Sequence, residues 1–413
     1  MKSALPDSAQ ALSLPPLALY VHMPWCVQKC PYCDFNSHRA PLADAGPVSA
    51  LAAETGEKYI TALVNDLEAA LPLVQGRSLL SVFIGGGTPS LFSGTAIARL
   101  LAAIRACLPL APDAEVTLEA NPGAVEAERF AAYRDAGVNR LSIGIQSFNP
   151  EHLRAIGRIH DAEEARRAVE IAARHFDTFN LDLMYGLPRQ GFGEAMADLE
   201  TALAFAPSHL SCYQLTVEPN TAFHAAPPPL PEDDLCADIG EAIAARLESA
   251  GFDHYETSAF ARPGRRCRHN LNYWEFGDYL GIGAGAHSKL TQPEGGTGIL
   301  RQMRWKQPER YLREALRKDR RRAPVQEEMW VDAAALPGEF MMNALRLCHG
   351  FPAALFHERT GLPFSAVAGI LRQAQAEGLV CVDPPGEEEG GSIVPTRRGG
   401  LFLNALLRRF LPE

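Results

Sequence analysis

Short apolar runs alternate with helical patterns along the N-terminal part of this chain, and this alternation restricts its fold more than any other property. Six of the runs have the length of buried strands. Strands that alternate with helices form parallel β/α units, because each parallel connection needs a crossover. The predicted strands are Leu17–Met23, Ser81–Ile84, Glu115–Glu119, Arg140–Ile145, Thr178–Met184 and Leu210–Val217.

Helical patterns lie between these runs at the spacing that βαβ units need. Six such units predict an α/β fold, an incomplete (β/α)6 barrel that stays open along one side. Two stretches rich in Pro, Ala or Gly, Arg39–Thr55 and Pro227–Pro231, are predicted as loops or linkers. The predicted helices are Glu57–Leu71, Gly94–Cys107, Ala124–Ala136, Asp161–His175, Phe192–Ala206 and about Leu235–Ala250.

The pattern changes from Trp330 onward. Helices followed by a β-hairpin resemble a small winged-helix module. We therefore predict four parts: a flexible N-terminus over 1–16, the barrel over 17–300, a basic connecting segment over 301–329, and a small C-terminal helical, winged-helix-like domain over 330–413. The predicted elements of this last domain are the helices Asp332–Cys348, Ala353–Arg359 and Ser365–Glu377, the strands Leu379–Asp383 and Ser392–Pro395 around the turn Pro385–Gly391, and a final amphipathic helix Leu401–Phe410.

The charge of the chain argues against a nucleic-acid partner. The 413 residues carry 39 basic and 49 acidic side chains, a formal net charge of −10, whereas phosphate binding requires a basic face. The predicted C-terminal domain has 7 basic and 9 acidic residues, so a DNA-binding regulator is a weak alternative for it. We expect a cytoplasmic protein, because the sequence shows no run of 18 apolar residues and no secretory or transit pattern at its N-terminus.

Three of the nine cysteines lie within eight positions, directly after the first predicted strand. Cys26, Cys30 and Cys33 have the spacing C-x3-C-x2-C. In a reducing compartment such a cluster indicates a metal site or catalysis rather than disulfides. Three thiolates on a cubane 4Fe–4S cluster leave one iron open to a further ligand. A structural zinc site is the alternative, with a fourth ligand drawn from His22, Asp34 and His38.

The triplet, with the aromatic Tyr32 before its last cysteine, resembles the radical SAM superfamily. The segment Gly85-Gly86-Gly87-Thr88-Pro89 at the end of the second strand supports the resemblance. The resemblance implies that S-adenosylmethionine (SAM) binds the open iron of a 4Fe–4S cluster held by the three cysteines. It also implies that a set of residues, most of them at the ends of strands, contact SAM. The alternative for a polar residue at the end of a strand is that it caps the next helix. These residues are Tyr20, Tyr32, Gly86, Gly87, Thr88, Glu119, Gln146, Arg158 and Asp182.

The resemblance covers about residues 17 to 410 and is closest to the oxygen-independent coproporphyrinogen III oxidase-like proteins. The true oxidases have a further cysteine two residues after the third, where this chain has Phe35. They also have a longer N-terminal arm, whereas only 16 residues precede the first strand here. Both departures, together with the segments Tyr20–His38 and Arg268–Trp274, make the chain more similar to the haem chaperones of this family.

The sequence His269-Asn270-Leu271-Asn272-Tyr273 matches the H-N-x-x-Y motif that this branch associates with haem. Imidazole is a common axial ligand of haem iron, and Tyr is an occasional one. We therefore expect His269 and Tyr273 to contact haem, with His287 as a second candidate. The alternative is that His269 is an ordinary hydrogen-bonded histidine. The glycines before His287 do not form G-x-G-x-x-G, so a dinucleotide site is rejected.

The resemblance implies a 4Fe–4S and SAM-binding chaperone that transfers haem to apo-haemoproteins, with no catalytic residue assigned. The alternative is a radical SAM enzyme that acts on a tetrapyrrole, by decarboxylating coproporphyrinogen or by methylating or opening haem. The segment Arg301–Arg322 contains ten Lys or Arg residues. A solvated connecting helix is the favoured interpretation of this segment, and contact with haem propionates, an acidic client or a peripheral membrane surface is the alternative.

Overall fold

The computed structural model describes residues 14–41, 51–74, 76–124, 127–292, 298–319, 322–383 and 390–412. Its centre is a twelve-stranded sheet in which six consecutive parallel strands alternate with helices. The sheet does not close on itself, so the predicted incomplete (β/α)6 barrel is confirmed. The six strands are β1 (Leu17–Met23), β2 (Leu79–Gly86), β3 (Leu110–Ala120), β4 (Arg140–Gln146), β5 (Phe179–Tyr185) and β6 (His209–Gln214).

The helices of the barrel pack their apolar faces on the outer side of these strands in one large core. Local sequence sets several helix starts: the Ser93 side chain accepts a hydrogen bond from the Ala96 N–H, and Asp161 forms a capping box with Glu164. Pro227–Pro231 contains no helix or strand, while residues 42–50 of the other predicted linker lie outside the described residues. The helices are α1 (Ala53–Val74), α2 (Gly94–Cys107), α3 (Ala127–Ala136), α4 (Ala162–His175), α5 (Phe192–Ala204) and α6 (Asp233–Ser249).

Six further strands extend the sheet beyond both ends of the predicted barrel. A hairpin of β7 (Asp253–Glu256) and β8 (Ala259–Ala261) lies beside β6. Helix α7 (Arg268–Trp274) follows the hairpin. On the other side of the sheet β9 pairs parallel with β1, and three antiparallel strands follow. These four strands, which the sequence did not predict, are β9 (Asp278–Ile282), β10 (His287–Thr291), β11 (Ile299–Arg304) and β12 (Val325–Trp330).

The basic segment differs from the solvated connecting helix that its sequence favoured. Its first residues belong to β11, and α8 (Pro308–Ala315) follows. Arg304 is buried and its Nε donates to Asp66 Oδ1 at 2.9 Å, while the Tyr311 hydroxyl donates to Asp66 Oδ2 at 3.0 Å. The segment is therefore partly internal, because a charged side chain is buried where it meets an opposite charge.

A second, smaller core belongs to the C-terminal domain. Its helices and its three-stranded sheet agree with the predicted helical, winged-helix-like domain, but the final helix is interrupted at Phe402, and residues 384–389 of the predicted turn lie outside the described residues. The elements are α9 (Leu336–Ala344), β13 (Phe351–Pro352), α10 (Ala353–Thr360), α11 (Ser365–Ala376), β14 (Val380–Asp383), β15 (Ser392–Pro395), α12 (Arg397–Leu401) and α13 (Leu403–Leu407). The predicted flexible N-terminus over 1–16 falls mostly outside the described residues.

Candidate cofactor and haem site

A cavity of about 400 Å³ lies inside the barrel and reaches the loops that follow the C-terminal ends of the strands. Active sites of β/α barrels are built at this end. Three residues do not line the cavity: Tyr20, which was expected to contact SAM, and His269 and Tyr273, which were expected to contact haem. The other eleven predicted site residues do line it: Cys26, Cys30, Tyr32, Cys33, Gly86, Gly87, Thr88, Glu119, Gln146, Arg158 and Asp182.

The three cysteines of the triplet are free thiols at the edge of this cavity. The Thr88 hydroxyl donates to Cys26 Sγ at 3.4 Å, and Cys33 Sγ lies 3.8 Å from Ser37 Oγ. Burial raises the pKa of the Cys26 and Cys33 thiols, and these two hydroxyl contacts work in the opposite direction. Hydroxyl groups that contact sulfur stabilise a thiolate, which is the form that binds iron.

The zinc alternative does not agree with the geometry around the cysteines. Within the part of the chain that the structure describes, no three His, Cys, Asp or Glu side chains converge on a single metal position. His22, one proposed fourth ligand, uses both ring nitrogens: Nδ1 pairs with the Tyr20 hydroxyl at 3.0 Å and Nε2 with the Asn36 carbonyl at 2.9 Å. A cubane cluster binds its thiolates on separate irons, so it does not require a single position that all three sulfurs reach.

The glycine-rich loop at the end of β2 lies so close to His22 and Trp25 that its glycines have no room for a side chain. A Cβ on Gly87 would lie 2.6 Å from the Trp25 carbonyl oxygen, and a Cβ on Gly86, whose φ is +112°, would lie 2.5 Å from the His22 ring. The Gly87 N–H donates to the Met23 carbonyl at 2.6 Å, and the Thr88 N–H donates to the Trp25 carbonyl at 2.8 Å. The loop is therefore fixed against the strand end that leads into the cysteines.

A chain of polar contacts connects this loop to Arg158, and it includes a residue that the sequence did not single out. The Asn121 amide donates to Thr88 Oγ1 at 2.8 Å, and Asn121 Oδ1 accepts from Arg158 Nη2 at 2.6 Å. Arg158 also donates to the Gly144 carbonyl at 2.6 Å and lies 3.9 Å from Cys30 Sγ. The position of Asn121, two residues after Glu119 at a strand end, is the sequence signal that could have identified it.

Two half-buried carboxylates line the cavity, Glu119 on β3 and Asp182 on β5, and neither caps a helix. Glu119 Oε2 accepts from the Gly86 N–H at 2.9 Å, while Asp182 accepts from Asn180 and Ser142 at 2.7 and 3.2 Å. Burial, reinforced by the negative charge of Asp182, raises the pKa of Glu119 to about 8. Burial also raises the pKa of Asp182. The cavity therefore holds acceptor groups whose ionisation a bound cation would favour.

The haem motif lies at the opposite end of the barrel, on α7 (Arg268–Trp274). The N-terminus of this helix is held by Glu115, which accepts from the backbone N–H groups of Arg268 and His269 at 3.2 Å each. The other side of the helix contributes Leu271 and Trp274 to the core of the C-terminal domain. Helix α7 therefore closes the floor of the barrel.

His269 is enclosed in this floor with only 2% of its surface exposed. Its Nδ1 shares a hydrogen bond of 2.9 Å with Ser81 Oγ, and its Nε2 has no partner among the described residues. Burial, with a smaller effect of the Arg140 charge, lowers the pKa of His269 to about 3, so the ring is neutral. A neutral imidazole with one nitrogen unpaired has the chemistry of a metal ligand.

The other haem candidates have different surroundings. The Tyr273 ring packs against His269 and Tyr279, at centroid distances of 5.0 and 4.3 Å. His287 is exposed and does not line the cavity. Cys267, which directly precedes α7, and Asn270, on α7, do line it. The sequence missed these two residues and Arg140, a charged residue at the start of an apolar strand.

These features define the chain as a member of the radical SAM superfamily, whose family model matches residues 20–202. A second model, the HemN C-terminal domain, matches residues 331–402. The chain is 48% identical to the heme chaperone HemW of Escherichia coli over 97% of its own length and 100% of that protein. It is also 48% identical to HemW of Haemophilus influenzae, over 97% of this chain and 99% of the relative. The chain therefore belongs to the HemW family.

Among solved structures, coproporphyrinogen III oxidase (HemN) from Escherichia coli, described as a radical SAM enzyme, superposes with a TM-score of 0.77. The two chains are 24% identical, and the match covers 97% of this chain and 92% of HemN. At this identity the similarity is one of fold alone. None of the helices that the structure describes combines the length and apolar character needed to cross a membrane.

Proposed function

We propose that this chain binds a 4Fe–4S cluster and SAM, and that it carries haem to apo-haemoproteins. One observation carries the proposal: 48% identity with HemW proteins along the whole chain, in a molecule whose cysteine loop and H-N-x-x-Y motif occupy opposite ends of one barrel. Cys26, Cys30 and Cys33 would hold three irons of the cluster. The fourth iron would be open to SAM.

Different residues around the cavity would bind different groups of SAM. The backbone of Gly86 and Gly87 offers polar groups without side chains in the way. Glu119, Asp182 and Gln146 offer acceptors for the ammonium and hydroxyl groups of SAM, and Thr88 and Arg158 position the loop beside the cysteines. Tyr20 would act indirectly, because its hydroxyl holds His22 beneath the glycine loop.

Haem would bind through His269, whose Nε2 is unpaired, with Tyr273 beside the ring. Since His269 is enclosed, haem iron reaches Nε2 only after neighbouring side chains move. No catalytic residue is assigned, because a carrier needs to bind and release haem without changing it. Clients would be apo-haemoproteins in the cytoplasm. Exposed arginines of the basic segment, such as Arg313 and Arg317, would support contact with an anionic membrane surface.

The test is anaerobic and uses the full chain, reconstituted with iron and sulfide and mixed with reductant, SAM and haem. Unmodified haem should bind stoichiometrically and move to an apo-haemoprotein, as absorbance and mass spectrometry would report. Cys33→Ser should lose 4Fe–4S content, whereas Cys381→Ser, which alters an exposed thiol away from the cavity, should keep it. Sustained formation of 5′-deoxyadenosine with an altered tetrapyrrole would instead identify an enzyme.

A further inference from the structure

Arg140 is a buried arginine at the inner end of the cavity, and its ion pair with Glu115 is a long one. Its side chain is 3% exposed, it lines the cavity, and its Nε has no hydrogen-bond partner among the described residues. The carboxylate of Glu115 stands 3.9 Å from this nitrogen, beyond hydrogen-bond distance. A guanidinium is always charged and offers five N–H donors, so a buried guanidinium whose Nε makes no hydrogen bond to the described residues requires an explanation.

Two more buried polar atoms without partners lie on the same floor. Thr117 pairs with Arg140 in the register of β3 and β4, and its Oγ1 has no partner among the described residues. The Nε2 of His269 likewise has no partner in the described part of the chain, and Glu115, which is close to Arg140, accepts from the backbone N–H of His269. Buried polar groups are nearly always paired, so three unpaired groups around one end of a cavity indicate a site for a ligand.

The hydrogen-bond donors at the floor of the barrel indicate which class of ligand would bind there. Two parallel N–H groups of a guanidinium can donate to the two oxygens of a carboxylate. These hydrogen bonds are stronger where water is excluded, as at the floor of the barrel. The ligand must also reach the surroundings of His269. Haem, the cargo of the proposed function, carries two propionate side chains, and SAM carries one carboxylate. The position beside His269, at the far end of the cavity from the cysteines, favours haem.

We propose that Arg140 binds a propionate carboxylate of haem at the floor of the barrel, next to His269. Arg140 then anchors the edge of the macrocycle while His269 contacts the iron, and Thr117 Oγ1 can donate to the same carboxylate. This inference rests on the proposed function, since it takes haem as the ligand. It adds a polar anchor that the H-N-x-x-Y motif does not contain.

The experiment compares haem with haem dimethyl ester, in which both propionates are neutral, by absorbance titration of the reconstituted full chain. The native chain should bind the ester about 30-fold more weakly, the loss expected when a charged hydrogen-bonded pair is removed. Arg140→Met should weaken haem binding by a similar factor and should no longer distinguish haem from the ester. Arg268→Met is the matched control, because this neighbouring arginine points to Asp113 on the surface, and it should keep the native ratio.

The outcomes separate the two proposals. An Arg140→Met chain that distinguishes haem from the ester as the native chain does would overturn the anchor and leave the chaperone function intact. A native chain that binds no haem would overturn both. If Arg140→Met weakens SAM binding in equilibrium dialysis and leaves haem binding unchanged, the carboxylate is that of SAM and the proposal is wrong. Should Arg140→Met not fold, Arg140→Gln keeps a polar side chain without the positive charge, and an unchanged ratio in this variant would contradict the proposal.

Discussion

The imidazole of His269 stacks on the ring of Phe83, with the two ring centroids 4.9 Å apart and the planes inclined by 27°. Phe83 lines the cavity, whereas His269 does not. The aromatic ring of Phe83 therefore separates the His269 imidazole from the space that extends to the cysteine loop.

Truncation of this ring by Phe83→Ala should let haem reach His269 more readily. If haem binds only when the ring has moved, the observed association rate scales with the open fraction, which the truncation increases. We expect haem association about tenfold faster in stopped-flow absorbance. Phe148→Ala, which shortens a buried ring outside the cavity, should leave the rate unchanged. A slower or unchanged rate in Phe83→Ala would show that haem does not enter from the cavity.

The Asn121 amide should contribute to SAM binding although SAM need not touch it. Asn121→Ala removes the link between Thr88 and Arg158, so both side chains lose a fixed position. We expect SAM to bind about tenfold more weakly by equilibrium dialysis, the effect of one or two net hydrogen bonds. Asn139→Ala removes a comparable pair of side-chain bonds away from the cavity and serves as the control. Equal SAM affinity in the two variants would argue against the link.

The close approach of the glycine loop to the cysteine loop should make Gly87 intolerant of a side chain. In Gly87→Ala the added Cβ would lie 2.6 Å from the Trp25 carbonyl oxygen, and backbone cannot move aside cheaply. We expect a loss of about 1–3 kcal/mol in unfolding free energy and incomplete cluster incorporation after reconstitution. Gly193→Ala, where the added atom meets nothing within 4 Å, should have native iron content. Full iron content in Gly87→Ala would contradict this close-packing argument.

The barrel could be predicted because its elements are set by local patterns. The bounds of β1 and α2 agree with the sequence prediction residue for residue, since each is a continuous apolar or amphipathic run with clear ends. The strands β9 to β12 were missed for the opposite reason. Strand β9 ends in a glycine-rich stretch without a strand pattern, and its partner β1 lies more than 250 positions earlier in the chain, so no local signal marks the pairing.

The site could be predicted only as far as its motifs reach. The cysteine triplet, the glycine loop and the acids at strand ends are contiguous in sequence or follow a strand, and the structure brings them to one cavity. Arg140 carries no such signal, because it looks like a charge at the start of a strand until Glu115 and α7 close around it. Likewise the burial of Arg304 depends on Asp66, a residue 238 positions away.

A last prediction concerns Glu256, a carboxyl group buried where the β7–β8 hairpin meets the C-terminal domain. Glu256 is 4% exposed, and it forms a β-bridge with Leu347 of that domain. Burial raises the pKa of Glu256 to about 7 from its usual 4.5, although the Ser258 N–H and the charge of Arg346 oppose the shift. The folded chain therefore holds a proton between about pH 4.5 and 7 that the unfolded chain has released.

Because the folded state binds more protons in this window, the unfolding free energy should fall as the pH rises through it, and the loss should level off above about pH 7. The full effect is at most about 3 kcal/mol. Glu256→Gln cannot ionise, so its unfolding free energy should lack this component, and the native chain should lose stability relative to the variant between pH 5 and pH 8. Urea unfolding of both chains at pH 5 and pH 8 measures the difference between their unfolding free energies. Comparing the two chains cancels the contributions of the groups that they share. A difference that does not change with pH would mean that Glu256 is already ionised in the folded chain at pH 5.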